Sequence, residues 1–437
     1  MTRTIAELEG RGVRAVRLLY TDLHGIARGK DIPISKFEGL AEEGVAFCAA
    51  VMSTDLRHTP VIGGEEGYID FAVRPDLSTL RVVPWQPDVA WCVGDARLAD
   101  GSGPAPTCPR GLLARVTARY AEHGLTPIVG PELEFFLLER DAAAPGGLRR
   151  YVDELSRVYT VGPISDPRGI VLDMLYACEQ LDLRVFAANH EFMNSQYEIN
   201  VEHSEALDAA DRAFLLKTAV KELAARQGML ATFMGKPFND QGGSGFHVHL
   251  SLANEEGANV FDDPAGLGEV RSRVVAGILE HGPALMALLA PTVNAYKRLV
   301  PDSLAPTHVN WGLDNRTAFV RVPHEHGRRS RVEVRGGDGS AAAHLVVAGL
   351  LLAGLDGIER SLELPDPVRG DAYRAESGAA LPRDLGAALD ALEADDYLRS
   401  ALGEGLVETF FAVKRFELDR FAQWVTDWEL DEYARHL

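Results

Sequence analysis

The sequence predicts an α+β protein, and three observations carry that prediction. The first hundred residues read as short strands, at 13–21, 45–52 and 89–94. A Gly/Pro/Ser-rich run at 100–109, DGSGPAPTCP, then marks a domain boundary. Beyond it, helix-spaced and strand-like segments mix along the chain, which suits a mixed sheet with helices packed around it.

The elements follow in order. Pro75 and Pro84 bracket DLSTLRVV, a loop and short strand that belongs to a small N-terminal sheet domain, residues 1–105. Residues 106–437 form the larger part. Leu112, Leu113, Val116 and Tyr120 share a helical face over 110–123, and Gly124 serves as the C-cap. Residues 127–138 are β-rich and predict a strand. Leu215, Ala219 and Leu223 predict a helix over 206–227, closed by Gly228. Further strands are expected at 229–233, 246–252, 309–313, 317–322 and 331–335. Helices are expected at 269–290, 341–360, 385–394 and 405–429.

Composition narrows the function classes. A chain of 437 residues holds two or three domains, or one large domain with a satellite. Its net charge of −20 argues against electrostatic binding to nucleic acid or to an anionic membrane. A local Arg cluster can still bind a nucleotide inside such a protein. No run approaches the roughly 20 apolar residues of a membrane span, and the most apolar window, 341–354, predicts a buried helix. Residues 1–14 carry acidic residues and lack the apolar core of a signal peptide. Cys48, Cys92, Cys108 and Cys178 are scattered without metal-type spacing, which fits a reducing cytoplasm.

Four segments carry chemistry. In GPELEFF, Glu132 and Glu134 lie at i and i+2 and project from one face of a strand. Two such carboxylates repel unless a cation or base lies between them; the alternative is one buried-edge and one solvated Glu. In NHEFMNSQYEIN, Glu191 and Glu198 are seven apart, so they converge only if the chain turns between them, and Asn194-Ser195 suits a turn. The alternative there is a surface loop. In GGSGFHVHLS, His247, His249 and Ser251 share a face; both His can be metal ligands, or one binds metal and the other a ligand. That Gly-rich loop lacks the Lys-Ser/Thr ending of a P-loop. Finally, Arg298, Arg316, Arg321, Arg331 and Arg335 crowd one region, with Arg331, Glu333 and Arg335 on one strand face. Arg binds phosphate and carboxylate in a planar, bidentate way; a solvated or salt-bridged face is the alternative. Five carboxylates with one imidazole suit Mg²⁺ or Mn²⁺. Together the segments point to metal-assisted phosphoryl transfer from a nucleotide to an acidic acceptor.

The chain resembles the type I glutamine synthetase family over nearly its whole length. The matching marks, in order, are PDLSTLRVVPW, GPELEFF, HEFMNSQYEIN, TFMGKP, GSGFHVHLSL, YKRLVP, NRTAFVRVP and RVEVR. The resemblance implies a β-grasp-like N-terminal domain, a catalytic domain with a curved antiparallel sheet, and two stacked rings, commonly of twelve subunits. Each active site would lie at a subunit interface. It implies that Glu134, Glu191 and Glu198 hold one metal ion and Glu132, His247 and Glu333 a second. Arg298 matches the residue that holds glutamate's α-carboxylate, and Arg335 the one beside the reacting γ-carboxylate. Gly243 lies in the loop along the amino-acid pocket. Arg316, Arg321 and Arg331 match residues around the ATP phosphates, with Arg316 also at the reacting centre. His249 and Ser251 match nucleotide-side contacts. The implied reaction makes an acyl phosphate from ATP, which an amine then converts to an amide.

Departures from the family pattern concern the amine. Where glutamine synthetases carry an Asp that reaches the neighbouring site to bind ammonium, this chain has Cys48. Where they carry a flap Glu, six residues after Arg298, it has Leu304. Asn189 replaces a His, Gly242 an Asn and Ser195 a Gly. An ammonium ion needs oxygen acceptors and negative charge to displace its water, and Cys48 and Leu304 supply neither. The expected substrate is therefore an amine other than ammonia. A polyamine would need extra acids, for which Asp55, Glu65, Glu66 and Asp302 are in the right neighbourhoods. Asp302, His308 and Glu65 are the candidates for the base. Leu381-Pro382 lacks the preceding Tyr that adenylylated members carry. Three alternatives remain: the same chemistry on another acid, an ammonium-using glutamine synthetase, and a catalytically silent ring protein.

Overall fold

The computed structural model describes residues 5–152, 157–263, 266–375 and 377–437. Two sheets organise it. The first has six strands, in the spatial order Ala27–Pro33, Ala15–Thr21, Gln86–Leu98, Asp70–Pro75, Val45–Cys48, with Arg81–Val83 on the long Gln86–Leu98 strand. The strands expected at 13–21 and 89–94 are present, while the 45–52 strand is only Val45–Cys48 and continues as a 3-10 helix, Ala49–Ser53. The segment also folds a helix, Ile34–Glu43, whose Ile34 and Phe37 are buried against the sheet core.

The second sheet has ten strands and is predominantly antiparallel. Its main path runs Trp311–Leu313, Val320–Val322, Val332–Asp338, Gly245–Asn254, Leu125–Arg140, Gln196–Val201, Val185–His190. This path explains how distant sequence segments meet. Arg321 pairs with Glu333, Glu333 with His249, His247 with Glu132, Glu134 with Glu198, and Glu198 with Asn189. Each pair sits side by side on adjacent strands, so residues from 132 to 333 reach one level of one sheet. A register shift between Phe246 and Val248 adds a residue on the Val332–Asp338 strand around Arg335, the kind of bulge that re-aims side chains near active sites.

Helices cover the back of this sheet. Ala343–Glu359 is buried nearly all round, and it packs against Glu269–Glu280, Pro109–Glu122 and Ala206–Arg226. Fully buried leucines such as Leu351 and Leu352 each contribute ~2 kcal/mol of burial. Arg110 joins the two sheets: its guanidinium donates to Asp76 and Asp95 of the first and to Asp211 under the second.

Two expected helices are broken. The 269–290 segment is two helices, Glu269–Glu280 and Gly282–Leu289, because Pro283 has no N–H to continue the ladder and suits a helix start. The 405–429 segment ends at Ala422 and restarts at Asp427, where Thr426 and Glu429 form a capping box. Helices Ile170–Gln180 and Asp396–Leu402 were not expected from the sequence. No helix among the described residues is long and apolar enough to cross a membrane.

Candidate active site

The turn anticipated between Glu191 and Glu198 is present. Ser195 adopts a left-handed φ of 65°, its Oγ accepts from Val152 N at 2.7 Å, and Glu191 N donates to Gln196 O at 2.9 Å. The hairpin brings the two carboxyls together, and they share a hydrogen bond.

A cavity of about 970 Å³ opens on the sheet's face. Glu132, Glu134, Glu191, Glu198 and His247 line it, together with Arg298, Arg316 and Arg335. A second cavity, of about 230 Å³, is lined by His249, Ser251 and Arg331 beside Gly130, His203 and Phe186. Glu132 and Asn200 line both. One opening therefore meets the residues expected to bind the acid, the other the expected nucleotide residues, and Glu132 lines both.

The electrostatics suit a cation. Burial pushes Glu198 well above the usual carboxylate range, and the charges of Glu132, Glu134 and Glu191 push the same way. Burial also raises Glu134 and Glu191. Burial opposes ionisation of Glu132 and Glu333 as well, but there the hydrogen-bond and charge partners win. His249 and His247 hold Glu132 well below the usual range, and Arg335 leads in holding Glu333 at about 2. Four crowded carboxylates, two of them sharing a hydrogen bond, are a donor set that a hard divalent cation would relieve.

The donor atoms that all lie within 4.8 Å of one another belong to Glu132, His249 and Glu333. His247, expected in that set, has its Nδ1 3.7 Å from Glu132 and 3.8 Å from Glu333, while its Nε2 is buried without a partner. Both nitrogens of His249 are engaged, Nε2 with Glu132 at 2.8 Å and Nδ1 with Arg331 Nε at 3.1 Å. His247 therefore has the free donor, and His249 bridges Glu132 to Arg331.

Three carboxamides that the sequence reading passed over as site residues, or placed elsewhere, orient these acids. Gln196 Nε2 donates to Glu134 at 2.7 Å and to Gly243 O at 3.1 Å. Asn200 donates to Glu198. Asn189, expected against substrate, lines the larger cavity and donates to Glu191 at 2.6 Å. Gln196, Glu198 and Asn200 alternate along one strand, the one signal in the sequence that marks them.

The arginines divide. Arg298 is buried, and its Nη1 has no partner. A side chain at Gly243 would come within 2.2 Å of Gly235 O and 2.8 Å of Arg298 Cγ, so only glycine fits between them. Arg335 donates to Glu333, to Arg316 O at 3.0 Å and to Leu304 O at 3.2 Å. Arg321 donates to Glu333 at 2.6 Å and to Asp314, so its charge faces a carboxylate in this arrangement.

Leu304 lines the larger cavity in a left-handed conformation, φ 58°, strained for a branched residue. Tyr159, Phe192, Met193, Val300 and Pro301 also line this cavity, as do the polar Asp302 and Ser303 beside Leu304. Met193 Cε lies 3.0 Å from where a Cβ at Gly242 would stand, filling that room with a thioether. Cys48 is exposed in the first sheet and is not among the residues lining either cavity. Asp55 is committed elsewhere: it caps Arg57 N and Thr59 N and pairs with Arg420. His308 holds Thr307 Oγ1 at 3.0 Å, and it and Glu65 lie outside both cavity linings; Asp302 does line the larger.

Residues 106–433 match the model of the glutamine synthetase catalytic domain. The chain belongs to the glutamine synthetase family. It is 36% identical to the glutamine synthetase of Methanocaldococcus jannaschii over 448 residues, covering 99% of this chain and 97% of that one. The Thermotoga maritima glutamine synthetase is 36% identical over 444 residues, with 98% and 97% covered. Among solved structures, a GmaS–ADP complex superposes with a TM-score of 0.89 at 31% identity, with 100% of both chains covered. Family membership makes the protein an ATP-dependent ligase of small molecules, in a family that uses divalent metals and is typically oligomeric.

Proposed function

We propose that the protein joins glutamate's γ-carboxylate to a primary monoamine other than ammonia, through a γ-glutamyl phosphate. The observation that carries this reading is Leu304. At the flap position the chain offers an apolar side chain to a cavity that Phe192, Val300 and Pro301 also line, where a proton-accepting carboxylate would serve ammonium. The likeness to GmaS, a gamma-glutamylmethylamide synthetase, supports it.

In this reading Arg298 binds the α-carboxylate, and Arg335 steadies the γ-carboxylate as it attacks ATP. Arg316, Arg321 and Arg331 neutralise the phosphates, with His249 and Ser251 on the nucleotide side. Arg321 must leave Glu333 to do so. Glu134, Glu191 and Glu198 would hold one Mg²⁺ or Mn²⁺, and Glu132, His247 and Glu333 the other. The bound metals would supply charge neutralisation at the transferring phosphoryl group. Subunits would assemble as two stacked rings, twelve in all, so that Cys48 of one borders the amine pocket of the next.

A second reading, an ammonium-using glutamine synthetase, is favoured by the names of the curated relatives. Phosphate release from ATP with Mg²⁺ and L-glutamate decides between them. The panel would hold ammonium, short alkylamines, ethanolamine, an aromatic amine and putrescine. Release with a monoamine and at least tenfold less with ammonium is expected. Equal kcat/KM for ammonium and amines defeats the proposal.

A further inference from the structure

Arg298 ends a line of buried charges that the chemistry above does not use. Arg298, Asp338, Lys217 and Asp22 are each 5% exposed or less. Burial works against each charge, raising Asp338 and lowering Lys217 to about 7, and Lys221 lowers Lys217 further; Asp338 is offset by Arg298 and Lys217, and Lys217 by Asp338 and Asp22. Asp22 lies in the hairpin between Ala15–Thr21 and Ala27–Pro33, so the line runs from the cavity to the first sheet.

The contacts around Asp338 are specific. It ends the Val332–Asp338 strand opposite Gly245, whose N–H donates to Glu134 at 2.7 Å. Its Oδ1 accepts from Ser340 N at 2.7 Å. Its Oδ2 is buried and has no hydrogen-bond partner, and neither has Arg298 Nη1. A Cβ on Gly235 would stand 1.9 Å from that Oδ2 and 3.1 Å from Ala295 Cα, so the free oxygen lies against the segment that leads into Arg298. Lys217 Nζ donates to Ser340 O at 3.3 Å and Ala341 O at 3.0 Å, holding the turn that follows Asp338.

A buried guanidinium needs a counter-charge. If that charge bonded directly to Nη1, it would occupy the edge a substrate carboxylate must take. Here two carboxylates supply it, Glu134 foremost and Asp338 next, and Nη1 stays free of a hydrogen bond; Glu134 belongs to the expected metal set, which leaves Asp338 as the charge with no other duty. We propose that Asp338 is the positioning residue for Arg298, compensating and aiming the guanidinium, with Lys217 fixing Asp338 through the 339–341 turn. The proposal rests on the reading of Arg298 as the acid-binding residue.

Calorimetry of Asp338→Asn with L-glutamate, in the presence of Mg²⁺ and ADP, tests it. Glutamate affinity is expected to fall at least tenfold while ADP affinity stays within twofold. Unchanged glutamate binding, or equal losses for both ligands, overturns the proposal. Should Asp338→Asn fail to fold, Lys217→Met is measured the same way: a selective glutamate loss supports the proposal, and any other result overturns it. Should the wild-type protein bind no L-glutamate, the acid assignment fails separately. A crystal structure of Asp338→Asn then decides, with a displaced Arg298 guanidinium supporting the positioning role and an unmoved one overturning it.

Discussion

His249 places its Nε2 2.8 Å from the Glu132 carboxylate while its Nδ1 accepts from Arg331. Because Arg331 occupies the Nδ1 lone pair, Nε2 carries the hydrogen given to Glu132. Glu132 borders both cavities and Arg331 only the smaller, so this imidazole couples a metal-side acid to a nucleotide-side base. His249→Leu therefore loosens both partners. The KM for ATP is expected to rise about tenfold, on the scale of losing an oriented charge-assisted contact. Steady-state kinetics with varied ATP checks it, and an unchanged KM contradicts the bridging role.

Gln196 has the corresponding duty at Glu134. Its amide fixes one carboxylate oxygen and ties it to the Gly243 carbonyl. Replacing such an outer partner costs about 10–100-fold in metal affinity. Gln196→Leu should weaken Mn²⁺ binding by that range in a calorimetric titration, with little change in melting temperature.

What the sequence disclosed, and what it hid, follows from range. Glu132 with Glu134, and His247 with His249, sit at i and i+2, so local strand geometry alone put each pair on one face. The Glu191–Glu198 turn was legible because Asn194-Ser195 tolerates left-handed backbone, which Ser195 adopts. The pairing of Glu333 with His249, and hence the bridge from Glu132 to Arg331, was not legible, because register between strands some eighty residues apart is set by tertiary packing. Gln196 and Asn200 were missed because a carboxamide has no charge to announce it. Pro283 was a plain stop signal in the 269–290 segment, where an apolar run on both sides masked it. Cys48 lines neither of the two cavities at the site, and a single sequence offers no direct evidence of a neighbouring subunit.

His281 pins the break at that proline. Its ring nitrogens contact Asp395 at 2.6 Å and Asp356 at 3.0 Å, and Tyr397 stacks on the ring. Burial disfavours the imidazolium, but the two aspartates outweigh it, so its pKa lies above the ordinary histidine value. A pKa raised in the folded state means stabilisation that is complete below the unfolded value, about 6.5, and lost as pH rises through the folded one. His281→Gln should cost about 3 kcal/mol in mildly acidic buffer, as for breaking a buried ion pair. The deficit should shrink at alkaline pH. Denaturant melts across that range check the slope; a deficit independent of pH counts against a charged His281.

Leu304 bears on which amine enters. Its backbone carbonyl already accepts from Arg335 at 3.2 Å, so the main chain is anchored while the side chain faces the cavity. A substituted ammonium gains from apolar contact worth ~1–3 kcal/mol per alkyl increment. Bare ammonium gains nothing from the Leu304 side chain, and the carboxylate this stretch offers the cavity is Asp302. Leu304→Glu restores an acceptor of the right charge and removes the apolar surface. The ratio of kcat/KM for ammonium to that for the preferred amine should rise at least tenfold, through gain on one side and loss on the other. The 304 backbone already holds a left-handed φ of 58°, which Glu tolerates no worse than Leu, so the variant should melt near the wild-type temperature. An unchanged ratio in a folded variant would show that the amine does not reach this side chain, and the selectivity would then belong to Phe192 and Tyr159 across the cavity mouth.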